Sequence, residues 1–227
     1  MQFHISGNLF IFMMRQKYRD KLISAVKNDH LIPTEYYIEF TEWEYRIHKC
    51  SRRILAASCF RENANNTYHQ TKSIILPVIG YYYALFHMGV AVLYLDYSTD
   101  LKKLKRVKHK TLINLIQNKL VSRNLISNKF TNILFDLKVI REDANYDFGV
   151  MDNIETIDYY VETGKAFDEA INFIKELDIA IKDYQQVLMD IMVKIGDGFG
   201  DDIKDTYLSK KDQECVIEYL ISKNLTT

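Results

Sequence analysis

From Ser73 to Leu95 the chain reads SIILPVIGYYYALFHMGVAVLYL, with no Lys, Arg, Asp or Glu over about six helical turns. A helix that is apolar on every side must be enclosed, either by the other helices of a bundle or by lipid. The tyrosines favour the bundle. Tyr81, Tyr82 and Tyr83 would lie near the middle of a bilayer, away from the interfaces that tyrosines prefer, and His87 would add a further polar group in hydrocarbon. In a water-soluble bundle each hydroxyl and imidazole finds a partner on a neighbouring helix. The expectation is a core helix and no membrane association. Tyr83 and His87 are four apart and share a face, which makes that face a candidate site. The plainer reading of His87 is a satisfied core residue.

A chain of 227 residues fits one large domain, or one domain with terminal additions, and can bury a sizeable core. Two prolines and eight glycines leave little punctuation for a many-stranded fold, so the fold class expected is all-α. Thirty basic residues balance thirty acidic ones, so no global field draws this protein to nucleic acid or to an anionic membrane. Any such affinity has to come from a local patch. The three cysteines, Cys50, Cys59 and Cys215, show no metal-binding spacing and read as reduced thiols of a cytoplasmic protein. On one continuous helix Cys50 and Cys59 fall on opposite faces. The apolar run Leu9 to Met14 is short, has no basic residue ahead of it and makes a poor signal peptide.

In chain order, Leu9 to Val26 is weakly helical, and His30 to Thr34 breaks the pattern. An amphipathic helix is expected from Glu35 to about Phe60, with Arg46, Lys49, Arg52 and Arg53 as a basic stripe that reads as a solvated face rather than as an RNA contact, the alternative. Arg61 to Gln70, RENANNTYHQ, reads as an asparagine-rich loop delivering the chain into the core helix, with Pro77 in or just after that helix's first turn. Asp96 to Asp100 is a connector. Beyond it LKKLKRVKHK supplies Lys102, Lys103, Lys105, Arg106, Lys108 and Lys110, the densest basic cluster and the best candidate for a phosphate-facing surface. A charge run is more often simply a solvated face. Short helices follow at Thr111 to Val121 and Asn128 to about Glu142. Arg141 falls on the apolar stripe of the second, four after Leu137 and seven after Leu134. A guanidinium aimed at a core or cleft needs partners: either a carboxylate or carbonyl clamps it, or it is held ready for an anion such as phosphate. Glu155 to Val193 reads as one kinked helix or two, Gly196 to Asp202 as a flexible turn, and Asp205 to Asn224 as a last helix.

The segments YYYALFH (Tyr81 to His87), VKHKTLINLI (Val107 to Ile116) and LKVIREDANY (Leu137 to Tyr146), with the acidic-apolar helix after Ile154, together resemble the HEPN superfamily. The likeness is closest to its small single-domain branch, associated with minimal nucleotidyltransferases and toxin or defence systems, and covers roughly Thr34 to Leu177. What the resemblance implies is an up-and-down helical bundle, placed over 34–194; an N-terminal extension over 1–33 and a C-terminal helical extension over 195–227 lie outside the likeness. It further implies a homodimer whose arginine elements meet in a cleft, and either a metal-independent endoribonuclease of a toxin–antitoxin or anti-phage system or a non-catalytic module. The non-catalytic form would bind RNA, nucleotide or a nucleotidyltransferase partner. Neither metal nor cofactor is implied. An ordinary helical scaffold for protein contacts is the plainest alternative.

Active members of the family carry a histidine a few residues after the arginine. Here Tyr146 stands at that place, and no histidine follows His109. Metal-independent RNA cleavage needs a base for the 2′-hydroxyl, an acid for the leaving oxygen and a cation for the phosphorane. Arg141 supplies the cation. A phenol near pKa 10 is a poor base, so His87 and His109 become the imidazole candidates. The catalytic set expected is therefore Arg141, Tyr146, His87 and His109 in one cleft, against a buried hydrogen-bonded network of the same residues. In the family's partnered toxins a tyrosine of this motif can receive AMP, a second role the resemblance implies for Tyr146.

Overall fold

The computed structural model describes residues 7–28, 30–32, 40–70, 74–146 and 158–178. Helix α1 spans Gly7–Lys27 and leads into a short antiparallel pair, β1 (Leu31–Ile32) and β2 (Phe40–Thr41), in which Leu31 faces Thr41. Helix α2 follows over Glu42–Gln70, α3 over Ile75–Tyr94, α4 over Leu101–Lys105 and α5 over His109–Lys119. A 3-10 turn at Val121–Arg123 closes on Asn124 in the left-handed conformation, then come α6 (Asn128–Tyr146) and α7 (Tyr159–Asp178). The described chain is an α-helical bundle.

Helix α3 is the central member. Its most extensive contact is with α2, and it also packs on α5, α6 and α7. It is the one helix among the described residues long and apolar enough to cross a membrane, and 67% of its most apolar window is covered by the rest of the protein. Pro77 sits in its first turn, where a missing N–H breaks no helical bond. Gly80 lets α2 cross closely: a Cβ there would lie 2.8 Å from Ala64 Cβ and 3.2 Å from the Phe60 carbonyl oxygen. One hydrophobic core runs from Tyr18 and Leu22 of α1, through α3, to Phe167 and Ile174 of α7. Residues of the expected N-terminal extension thus contribute to the bundle's own core.

The far end of α3 is held from several sides. Arg46, 1% exposed, donates to the carbonyl oxygens of Tyr94 (3.2 Å), Asp96 (3.2 Å) and Thr99 (2.9 Å), pairs with Glu42 and lies over the Tyr97 ring. A cation on the last carbonyls of a helix is favoured by its dipole. Tyr18 of α1 donates to the Leu95 carbonyl at 3.2 Å, and Asp96 accepts from Ser98 and Thr99 and pairs with Arg123 at 3.1 Å.

Several expectations are corrected. Arg61 to Gln70 is the last part of α2, not a loop. Asn63 and Thr67 bond carbonyls four residues back, and Ala64 is buried where Gly80 crosses, so packing outweighs the weak helix preference of asparagine. The helix expected from Glu35 begins at Glu42, after a strand pair that periodicity did not suggest. The basic stripe is not a solvated face at two of its members, since Arg46 is buried and Arg53 is bonded to His87. Cys50 and Cys59 of α2 are both buried. The expected segments Gly196 to Asp202 and Asp205 to Asn224, and Cys215, lie outside the described residues.

Candidate functional site

Helices α3, α5 and α6 bring the chemistry together. Tyr82 and Tyr83 project from neighbouring positions of α3, their rings 5.2 Å apart and edge to face. Arg141 of α6 lies over the Tyr82 ring, its Cζ 4.8 Å from the centroid, and its Nη1 donates to the Tyr83 hydroxyl at 3.3 Å. Its Nη2 donates to Glu142 at 3.4 Å, while Lys138 holds the other oxygen of Glu142 at 2.7 Å. Arg141 Nε is buried and has no acceptor among the described residues. The guanidinium therefore sits on an aromatic shelf with part of its hydrogen-bonding capacity unspent.

His109, the first residue of α5, joins this group through a short hydrogen bond between its Nδ1 and the Tyr82 hydroxyl. Burial lowers its pKa from the ordinary imidazole value, and Arg141 and then Lys138 lower it further against the opposing pull of Glu142. At neutral pH it is an uncharged imidazole beside a fixed cation. Burial raises the Tyr82 phenol pKa, so that hydroxyl keeps its proton. His109 is also flanked by Lys108 and Lys110, and all six residues of the basic run, Lys102, Lys103, Lys105, Arg106, Lys108 and Lys110, are exposed. The run thus reaches the Arg141 cluster at His109.

His87 is placed differently. It lies one turn along α3 from Tyr83, with the Phe86 ring packed against it at 5.6 Å and against His109 at 4.9 Å. Arg53 Nη1 donates to its Nδ1 at 2.8 Å, which fixes the imidazole hydrogen on Nε2. Burial, with the Arg53 guanidinium as the second cause, pushes the His87 pKa down to about 3. The structure brings Arg141 and His109 together and sets His87 apart, one aromatic ring away. Tyr146 is the last residue of α6, and its side chain lies outside those described.

Sequence reasoning missed Tyr82 and Lys138. The signal for Tyr82 was present, because Tyr82 and Phe86 are four apart and form a second polar-aromatic face beside Tyr83 and His87. Lys138 and Glu142 are likewise an i,i+4 pair on α6. No group of three or more His, Cys, Asp or Glu that could hold a metal gathers among the described residues.

Fold and site together define an α-helical bundle with a cation–aromatic cluster at the end of an exposed basic run. Comparison with protein-family models, with curated proteins and with solved structures finds no match to this chain.

Proposed function

We propose that this chain is a HEPN-type effector that binds RNA and cleaves its backbone without a metal ion, within a toxin–antitoxin or anti-phage defence system. The observation that carries the reading is that Tyr82 joins the two groups, with the Arg141 guanidinium over its ring and the neutral His109 imidazole bonded to its hydroxyl, where the basic run arrives. In the tautomer that donates Nδ1–H to the Tyr82 oxygen, His109 Nε2 is free to take the proton of an RNA 2′-hydroxyl. The resulting oxygen attacks the adjacent phosphorus and the bond to the 5′-oxygen breaks, leaving a 2′,3′-cyclic phosphate. Arg141 offsets the charge that builds on the phosphorane. Tyr83 accepts from Arg141, so its own proton is available to the departing oxygen. Tyr146 is kept as a further candidate at this motif, for proton transfer or for AMP attachment by a nucleotidyltransferase partner. A homodimer in the cytoplasm belongs to the same proposal.

The test is incubation of the full chain with end-labelled single-stranded RNA in the presence of a chelator. Fragments ending in a cyclic phosphate are expected, with Arg141→Ala slowing their release about 100-fold or more and His109→Ala doing likewise. Intact RNA with wild-type protein refutes cleavage. A second reading, a non-catalytic RNA-binding module, is favoured by the engagement of Arg141 with Tyr83 and Glu142. Retention of uncut RNA that is lost in Arg141→Ala distinguishes it.

A further inference from the structure

Arg53 presents a different problem from Arg141. Its side chain is partly buried, and its hydrogen bond among the described residues goes to a neutral imidazole, His87 Nδ1 at 2.8 Å. None of the ion pairs among the described residues includes it. Burial makes this guanidinium easier to deprotonate than an ordinary arginine; Tyr94 opposes the effect and Arg52 adds to it. A cation held in such a place without a carboxylate is costly. His87 aims it without neutralising it. A guanidinium has five N–H donors in a planar fork, and His87 engages one of them, which leaves the fork's geometry for an oxyanion.

Phe60 stands beside this pair. Its ring stacks on His87 (5.5 Å, 10°) and on Tyr83 (5.3 Å, 29°), yet the residue remains 37% exposed. One face is thus backed by two rings while the rest meets solvent. Tyr83, which receives Arg141, and His87, which receives Arg53, are separated by one turn of α3, about 6 Å of rise. Two guanidinium groups therefore attach to the same face of α3 one turn apart, with an exposed aromatic ring spanning the residues that hold them.

We propose that Arg53 and Phe60 form a nucleotide subsite for single-stranded RNA, with the Arg53 fork on a backbone phosphate one step from the phosphate at Arg141, and Phe60 under the unpaired base. The inference rests on the RNA reading above and deepens it by naming the substrate class. Stacking on a phenylalanine accepts every base, so the subsite is tolerant of sequence. It is intolerant of duplex, in which the bases are paired and stacked on one another and are closed to Phe60.

The probe is a short fluorescent oligouridylate carrying 2′-O-methyl groups, which removes the attacking hydroxyl, titrated with the full chain by fluorescence anisotropy at several salt concentrations. Phe60→Leu keeps an apolar side chain against Tyr83 and His87, and is expected to weaken binding on the order of tenfold. Arg53→Gln keeps a donor for His87, and is expected to weaken binding and to reduce the salt slope by about one. Annealing the probe to its complement is expected to abolish the difference between wild type and Phe60→Leu. Thermal melts of both variants establish that they are folded. Wild-type affinity and salt slope in both folded variants overturn this subsite and leave the RNA reading standing, provided Arg141→Ala still weakens binding. A duplex bound as tightly as the single strand, with the same loss in Phe60→Leu, also overturns it. Absence of any binding by wild-type protein removes the RNA reading and the subsite together.

Discussion

Acidification from pH 7 to pH 5 should destabilise this protein through His87, and the size of the effect follows from its surroundings. In the folded chain the imidazole is pushed down to about 3, by burial first and by Arg53 second. In the unfolded chain it returns to about 6.5. Between those values the unfolded state binds the proton and the folded state does not, so the stability from this group is present above about pH 6.5 and is lost as pH falls towards 3. With one pKa unit worth about 1.4 kcal/mol, the loss between pH 7 and 5 is about 2 kcal/mol. The structural cause is plain: a protonated Nδ1 cannot accept from Arg53, and an imidazolium would then face a guanidinium across 2.8 Å. Replacing His87 by Gln keeps an acceptor for Arg53 and removes the titration. Urea unfolding of wild type and His87→Gln at the two pH values isolates the contribution, because every other titrating group is common to both proteins. The wild type should lose about 2 kcal/mol more than the variant, a shift of about 4 to 8 °C in melting temperature for a chain of this size. Equal losses in the two proteins would refute the reasoning, and with it the neutral state assigned to His87.

Arg46→Met should cost about 3 kcal/mol or more by urea unfolding, since it leaves Glu42 without its cation and strips donors from the carbonyl of Tyr94, the last residue of α3, and from those of Asp96 and Thr99 in the connector beyond it. Gly80→Ala should cost about 1–3 kcal/mol, because the new Cβ meets Ala64 Cβ and the Phe60 carbonyl rather than a flexible side chain; an unchanged melting temperature would show that α2 and α3 can separate freely there. In an NMR titration His109 should change charge below the ordinary imidazole value, and Arg141→Gln should move that midpoint upward by removing a nearby positive charge. RNA cleavage by wild type should fall as acid protonates His109, with a midpoint below about 6.5.

The central helix was legible because a stretch without charge has few ways to be satisfied, and Ser73 to Leu95 had only neighbours or lipid to choose from. Arg141 was legible for a related reason, as a charge on an apolar stripe. The roles of Arg46 and Arg53 were not. Their partners are the carbonyls ending α3 and an imidazole on α3, which sequence spacing cannot bring to α2. The polar stretch Arg61 to Gln70 was misread as a loop because asparagines favour loops locally, whereas its helical state is stabilised by Ala64 against Gly80 and by side-chain bonds to the preceding turn. The pairing of His109 with Tyr82 joins residues 27 apart and depends on how α5 leaves the connector, a matter of tertiary geometry.

The enclosure of α3 also makes it a gauge. With α2, α5, α6 and α7 packed around it and its end fixed by Arg46 and Tyr18, its amides should exchange hydrogen with solvent only when the whole bundle opens. Their exchange rates then report the global free energy of unfolding. A ligand that binds the folded chain raises that free energy according to its concentration and affinity, wherever on the surface it docks. The slowest amides of the buried helix would therefore register an oligonucleotide bound at the rim without touching it.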